Sequence, residues 1–172
     1  MVRCNEQKLV FYFDMDGVLA KWRSVPEDET HVPGYFRELE VEPKVVCLIK
    51  RLIDAGHTVK ILSCVYDGKA KWEKTEWLNA NHLGGVDRVF VPYGERKELF
   101  VDPSCFNVLV DDYTANLKAW RDAGFLPFKF YNGINGRIHR WLGYSLDGIN
   151  QTADEMFTVL ISVATQLQKG VA

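Results

Sequence analysis

The sequence predicts an α/β domain built on a parallel sheet of five strands. Three observations carry that reading. Short apolar runs alternate along the chain with longer segments of helical periodicity, as in βαβ units. The first run, Leu9-Val10-Phe11-Tyr12-Phe13, is apolar or aromatic at every position, as in a strand covered on both faces. Polar groups stand at corresponding places after the strands: Asp14 and Asp16, Ser63, Lys97, then Asp111 and Asp112. In a parallel sheet those strand ends share one edge, where ligands bind.

The elements follow in order. Strand one spans residues 8–13. Residues 20–42 are irregular, with Pro26, Pro33 and Gly34, an acidic run Glu27-Asp28-Glu29, and aromatic Trp22, Tyr35 and Phe36. They read as a loop or short helical cap insert over the sheet edge. Pro43 opens the first helix, where its missing N–H is no loss. Val45, Val46, Leu48, Ile49, Leu52 and Ile53 give that helix one apolar face, and Gly56 stops it. Strand two covers 58–62 and ends at Ser63-Cys64. The second helix, 69–81, is only weakly amphipathic. Strand three covers 87–91 and stops at Pro92, followed by a polar stretch, 93–98. Strand four covers 106–110, a third helix 114–123, and strand five 128–131. The Gly-rich segment 132–150 reads as loop with one helical turn. The last helix, 152–168, opens with the capping box Thr152-Ala153-Asp154-Glu155. Its stripe of Met156, Val159, Leu160, Val163 and Leu167 reads as core packing.

A chain of 172 residues suits one domain, 1–172, with a real core. A net charge of −2 gives no electrostatic case for a polynucleotide partner. No apolar run reaches membrane-spanning length. Residues 1–8 lack the apolar stretch of a signal peptide, so the expected location is the cytoplasm. Cys4, Cys47, Cys64 and Cys105 form no Cys-x-x-Cys pair and read as reduced thiols.

Each polar group has a plainer meaning when taken singly. Asp-x-Asp-Gly is a turn, and Ser63 a strand-end residue. Lys97 is a solvated lysine, with Lys69, Lys71 and Lys74 as rivals, and Asp111-Asp112 caps the next helix. Their joint placement at successive strand ends argues otherwise. Clustered carboxylates repel one another and raise one another's pKa, and a hard divalent cation such as magnesium removes that cost. A carboxylate beside it can attack phosphorus, and a second can protonate the leaving oxygen and then activate water. A hydroxyl and an ammonium can hold the phosphate oxygens.

The ordered set Asp14-Met15-Asp16-Gly17-Val18-Leu19-Ala20, Ile61-Leu62-Ser63, Lys97 and Val110-Asp111-Asp112 resembles the four motifs of the haloacid dehalogenase superfamily of phosphohydrolases. Within it the chain resembles the 5′(3′)-deoxyribonucleotidase family, which has Asp-Met-Asp-Gly-Val-Leu-Ala, a double aspartate in motif four, and a Phe-x-x-Leu-x-x-x-Pro approach to the first helix. Here that approach is Phe36-Arg37-Glu38-Leu39-Glu40-Val41-Glu42-Pro43. The resemblance spans residues 8–131 and implies a three-layer Rossmann-like fold with strand order 5-4-1-2-3. It implies Asp14 as nucleophile and magnesium ligand, and Asp16 as general acid/base with its backbone carbonyl on the metal. Ser63 and the backbone N–H of Cys64 would bind phosphate, and Lys97 would neutralise it. Motif four leaves two registers open. Asp112 lies four residues before Asn116, which favours Asp112 as the metal ligand, with Asp111 and Asn116 in the outer shell.

Two departures stand out. Residues 20–42 are much shorter than the helical cap of the better-known deoxyribonucleotidases, and motif two continues Cys64-Val65-Tyr66 rather than into a Pro. The implied substrate is a small phosphorylated metabolite, with a deoxynucleoside monophosphate stacked on Trp22, Tyr35 or Phe36 as the leading form. A sugar phosphate is the alternative. A non-catalytic phosphate-binding regulator is the reading from another class, and the pair Asp14 and Asp16 argues against it. A receiver domain would carry its acceptor aspartate where this chain has Ser63.

Overall fold

β1 (Leu9–Phe13) has no charged position, and it lies inside the sheet rather than at an edge. The computed structural model of the chain describes residues 8–23, 25–134 and 141–170. These residues form a sheet of six parallel strands in the order β3 (Asp87–Pro92), β2 (Thr58–Val65), β1, β4 (Phe106–Asp111), β5 (Leu126–Tyr131) and β6 (Ser145–Asp147). The first five stand in the expected order. The sixth corrects the reading of 132–150 as loop, since residues 145–147 pair with β5. A strand of three residues is too short to show alternation, and Gly143 and Gly148 flank it. Residues 135–140 of that segment, and Cys4, lie outside the described residues.

Alternate residues of β1 serve opposite layers. Phe11 and Phe13 pack with α1 (Pro43–Asp54), α2 (Gly68–Ala80) and α4 (Ala153–Gly170). Val10 and Tyr12 pack on the other face with Leu117 and Trp120 of α3 (Thr114–Asp122). Helix ends follow the sequence signals. Pro43 starts α1, and the Glu42 carboxylate accepts from the Lys44 N–H. At α4 the capping box closes both ways: Thr152 N–H donates to Glu155 Oε2 at 2.7 Å, and Glu155 N–H to Thr152 Oγ1 at 3.2 Å.

The faint amphipathicity of α2 has a physical cause. Two of its buried residues, Glu73 and Lys74, are charged. The Glu73 carboxylate accepts from Gly34 N–H at 2.7 Å and Phe36 N–H at 3.2 Å, and Trp77 Nε1 donates to Leu39 O at 2.7 Å. These bonds pin the insert to α2. The insert holds two 3-10 turns, Glu27–His31 and Phe36–Glu38. Its ends meet as a short antiparallel neck, with Lys21 N–H on Glu40 O and Glu42 N–H on Leu19 O, both at 2.7 Å.

Candidate active site

Parallel strands bring their carboxyl ends to one edge, so residues distant in sequence meet there. Beyond β1 the chain leaves the sheet at Asp14, whose N–H still donates to Val110 O at 2.9 Å. The Asp14 side chain is buried. Its Oδ1 accepts from Met15 N–H at 2.8 Å and pairs with Lys97 Nζ at 2.9 Å. Both contacts fall on Oδ1, and the reaction would use Oδ2.

β4 delivers Asp111 and Asp112 beside it. Carboxylate oxygens of Asp14, Asp111 and Asp112 lie within 4.8 Å of one another. Both oxygens of Asp111 are engaged: Oδ1 accepts from Tyr113 N–H at 2.7 Å, and Oδ2 from Lys97 Nζ at 2.8 Å and Asn116 Nδ2 at 2.9 Å. Asp112 Oδ2 accepts from Asn132 Nδ2 at 2.8 Å, and the same amide donates to Gly17 O at 2.8 Å. Gly17 has φ +79°, and a Cβ there would stand 2.1 Å from Asp112 Oδ2. Only glycine permits this approach.

Burial drives the Asp14 pKa up to about 8; Lys97 opposes the shift, while Asp111, Asp16 and Asp112 add to it. For Lys97 burial alone would lower the pKa, but Asp111 and Asp14 outweigh it and hold the ammonium above the usual lysine range. Three carboxyl groups are buried together here, with Lys97 between two of them. An all-oxygen donor set of this kind suits a hard divalent cation such as magnesium.

Asp16 sits beside the cluster, partly exposed. Its Oδ2 pairs with Lys74 Nζ, and its Oδ1 is buried with no hydrogen-bond partner among the described residues. Lys74 also donates to Ser63 Oγ at 3.0 Å and Cys64 O at 2.7 Å. Ser63 lies inside β2 rather than after it, because the strand runs on to Val65. Of the candidate lysines, Lys97 is at the cluster as the sequence proposed, and its rival Lys74 is there too. Lys69 reaches His31 O, and Lys71 lies over the Phe90 ring.

Asp16, Cys64, Lys74, Lys97, Asp112 and Asn116 all line a cleft of about 740 Å³. Trp22 and Phe36 reach it from the insert. Tyr35 is 8 % exposed and instead packs edge-on against Phe36, with centroids 5.1 Å apart. Three tyrosines that the sequence reading did not single out line the cleft as well: Tyr66 at the end of β2, Tyr93 after β3 and Tyr113 after β4. Tyr66 and Tyr93 are tilted against each other at 4.3 Å. A tyrosine just beyond three successive strands was the available signal. Asn132 after β5, and Lys129, which donates to Asp112 O and to Thr114 Oγ1, complete the scaffold behind the cluster.

No family model matches the sequence, and no curated protein matches it. Solved structures do. The D,D-heptose 1,7-bisphosphate phosphatase from Burkholderia thailandensis is similar over 91 % of this chain and 99 % of its own, with TM-score 0.56 and 20 % identity. A second D,D-heptose 1,7-bisphosphate phosphatase, from B. bronchiseptica and complexed with magnesium and phosphate, covers 95 % and 99 %, with TM-score 0.54 and 21 % identity. A haloacid dehalogenase-like family hydrolase from Streptococcus pneumoniae covers 84 % and 96 %, with TM-score 0.55 and 10 % identity. The chain has the haloacid dehalogenase-like fold. Within it, Trp22 and Phe36 stand beside the cleft, and Asp14, Asp111 and Asp112 lie at the carboxyl edge. No helix among the described residues is long and apolar enough to cross a membrane.

Proposed function

We propose that the chain is a magnesium-dependent phosphomonoester hydrolase that works through an aspartyl-phosphate on Asp14. The observation that carries this reading is the buried cluster of Asp14, Asp111 and Asp112 with Lys97 bridging two of its members. Asp14, the Asp16 backbone carbonyl and Asp112 would hold the metal. Asp111, with both oxygens already engaged, would orient Lys97. When bound, magnesium supplies the positive charge that four nearby carboxylates and a phosphate need.

The residues divide the work as follows. Ser63, the Cys64 N–H and Lys97 hold the phosphate. Asp14 Oδ2 forms a bond to phosphorus as the bond to the leaving oxygen breaks, and Asp16 gives that oxygen its proton. Asp16 then takes a proton from water as the water attacks phosphorus. The Asp14–phosphorus bond breaks and inorganic phosphate leaves.

The substrate we propose is a small phosphorylated metabolite, and the protein we place in the cytoplasm. Two forms of substrate are supported by different observations. The similar structures include phosphatases of heptose bisphosphate, which favours a sugar phosphate. The exposed rings of Tyr93 and Tyr113 across a cleft reached by Trp22 favour a planar group, hence a deoxynucleoside monophosphate, as in the 5′(3′)-deoxyribonucleotidases. Stacking of a base on such a ring is worth about 1–3 kcal/mol. The test compares kcat/KM for nucleoside monophosphates and sugar phosphates, with and without magnesium, in wild type, Tyr93→Ala and Tyr113→Ala. Nucleotide preference lost in the variants supports the nucleotidase form. Sugar phosphate preference unchanged by them supports the other. Absence of turnover on every phosphomonoester contradicts the hydrolase reading.

A further inference from the structure

Lys74 is 1 % exposed, on the face of α2 that also buries Ala70, Trp77 and Leu78. Burying an ammonium is costly unless each of its hydrogens finds an acceptor. Here three acceptors surround it: Asp16 Oδ2, Ser63 Oγ at 3.0 Å and Cys64 O at 2.7 Å. The Phe36 ring of the insert covers it from another side, 4.5 Å from ring centre to nitrogen. Glu73, its neighbour in sequence, fixes that ring's backbone N–H.

The pattern of bonds has two stereochemical consequences. Asp16 offers two oxygens, and Lys74 occupies Oδ2 while the buried Oδ1 has no partner among the described residues. The orientation of the Asp16 carboxylate is therefore fixed. A serine hydroxyl has one hydrogen to donate, and Ser63 Oγ spends an acceptor lone pair on Lys74. Its own hydrogen is then directed elsewhere, as a phosphate ligand requires.

We propose that Lys74 is a positioning residue, which through one ammonium locks the acid/base Asp16 in register with the phosphate-binding Ser63. The role rests on the hydrolase reading above. Lys74 works through Asp16 in both half-reactions, but a leaving group that departs without a proton makes only the second depend on it. With p-nitrophenyl phosphate, Asp14 Oδ2 bonds to phosphorus as the aryl oxygen leaves as p-nitrophenolate. Water then attacks phosphorus, its proton passes to the Asp16 carboxylate, and the Asp14–phosphorus bond breaks.

The experiment is pre-steady-state hydrolysis of p-nitrophenyl phosphate with magnesium by wild type, Lys74→Met, Asp16→Asn and the double variant. Lys74→Met is expected to keep a fast burst of p-nitrophenolate and to lose about 100-fold in steady-state kcat, with KM falling alongside so that kcat/KM stays nearly unchanged. Adding Lys74→Met to Asp16→Asn is expected to change kcat by less than about threefold, since the two act as a unit. A full second loss in the double variant shows a merely structural lysine and overturns the proposal. So does a burst that slows with turnover together with tenfold weaker inhibition by inorganic phosphate, which makes Lys74 a direct phosphate ligand. Lys74→Gln, close in length and polar, is read by the same criteria if Lys74→Met does not unfold cooperatively. A wild type with neither burst nor turnover overturns the hydrolase reading itself, whereas wild-type turnover with additive variant losses overturns the Lys74 role alone.

Discussion

Gly17→Ala is expected to weaken magnesium binding as well as stability, because two separate costs meet at that residue. Its φ of +79° is in the left-handed region, which costs an L residue about 1–2 kcal/mol. A Cβ would also lie 2.1 Å from Asp112 Oδ2 and 2.5 Å from the carboxylate carbon, far inside contact distance. The Asp112 carboxylate must swing away, and it then leaves Asn132 Nδ2, a charged hydrogen bond worth roughly 1.5–3 kcal/mol. Neighbouring effects do not simply add, so the expected loss in unfolding free energy is about 2–4 kcal/mol. Loss of an outer partner alone weakens a metal site about 10–100-fold, and displacement of Asp112 itself places the effect at the upper end. Gly124→Ala is the control. Its φ is +84° with nothing within 4 Å of the added carbon, so it carries the backbone cost alone. Urea denaturation and calorimetric magnesium titration of both variants are the assays. Equal magnesium affinity and equal stability loss in the two would refute the packing of Gly17 against Asp112 as the determinant.

Three further outcomes follow from other parts of the site. Asp112→Ala is expected to lower magnesium affinity at least tenfold by calorimetry, and unchanged affinity would move the ligand role to Asp111. In the metal-free protein Asp14 has a pKa of about 8 against 3.8 for its ordinary value. The folded state therefore holds a proton that the unfolded chain has released, and this contribution to stability is lost as pH rises from about 4 to about 8. Magnesium should expel that proton, so its affinity should climb up to about pH 8, and titration in buffers of different ionisation heat should register proton release. Glu73→Ala removes the acceptor of two backbone N–H groups of the insert. It is expected to cost about 2–4 kcal/mol in urea denaturation and to speed proteolytic cleavage within residues 20–42, whereas unchanged cleavage would separate the insert from α2.

The parts of the fold legible in the sequence were those where burial and chemistry point the same way. A strand with no charged residue that ends in Asp14-Met15-Asp16-Gly17 had to lie inside a sheet with its carboxylates at the edge. The α4 capping box was legible because it is local, with Thr152 and Glu155 three residues apart and bonded to each other. α2 was less legible, because Glu73 and Lys74 face inward and erase the apolar stripe. Lys74 was accordingly only a rival to Lys97, although the fold needs both: one holds Asp14 and Asp111, the other Asp16 and Ser63. β6 escaped notice because three residues carry no period. The cleft tyrosines 66, 93 and 113 are far apart in sequence, and only parallel pairing brings the ends of β3, β2, β1 and β4 along one edge. Asn132 had no motif at all, since its partners Gly17 and Asp112 are brought to it by strand order alone.

Covalent chemistry at Asp14 is the centre of the account, and trapping the phosphoenzyme tests it most directly. Wild-type protein mixed with radiolabelled p-nitrophenyl phosphate and magnesium, quenched in acid within milliseconds and digested, is expected to carry label on the peptide containing Asp14. The label should be released by hydroxylamine, as an acyl phosphate is, and should be absent without magnesium and in Asp14→Asn. Label at any other residue, or undiminished turnover in Asp14→Asn, would contradict the account.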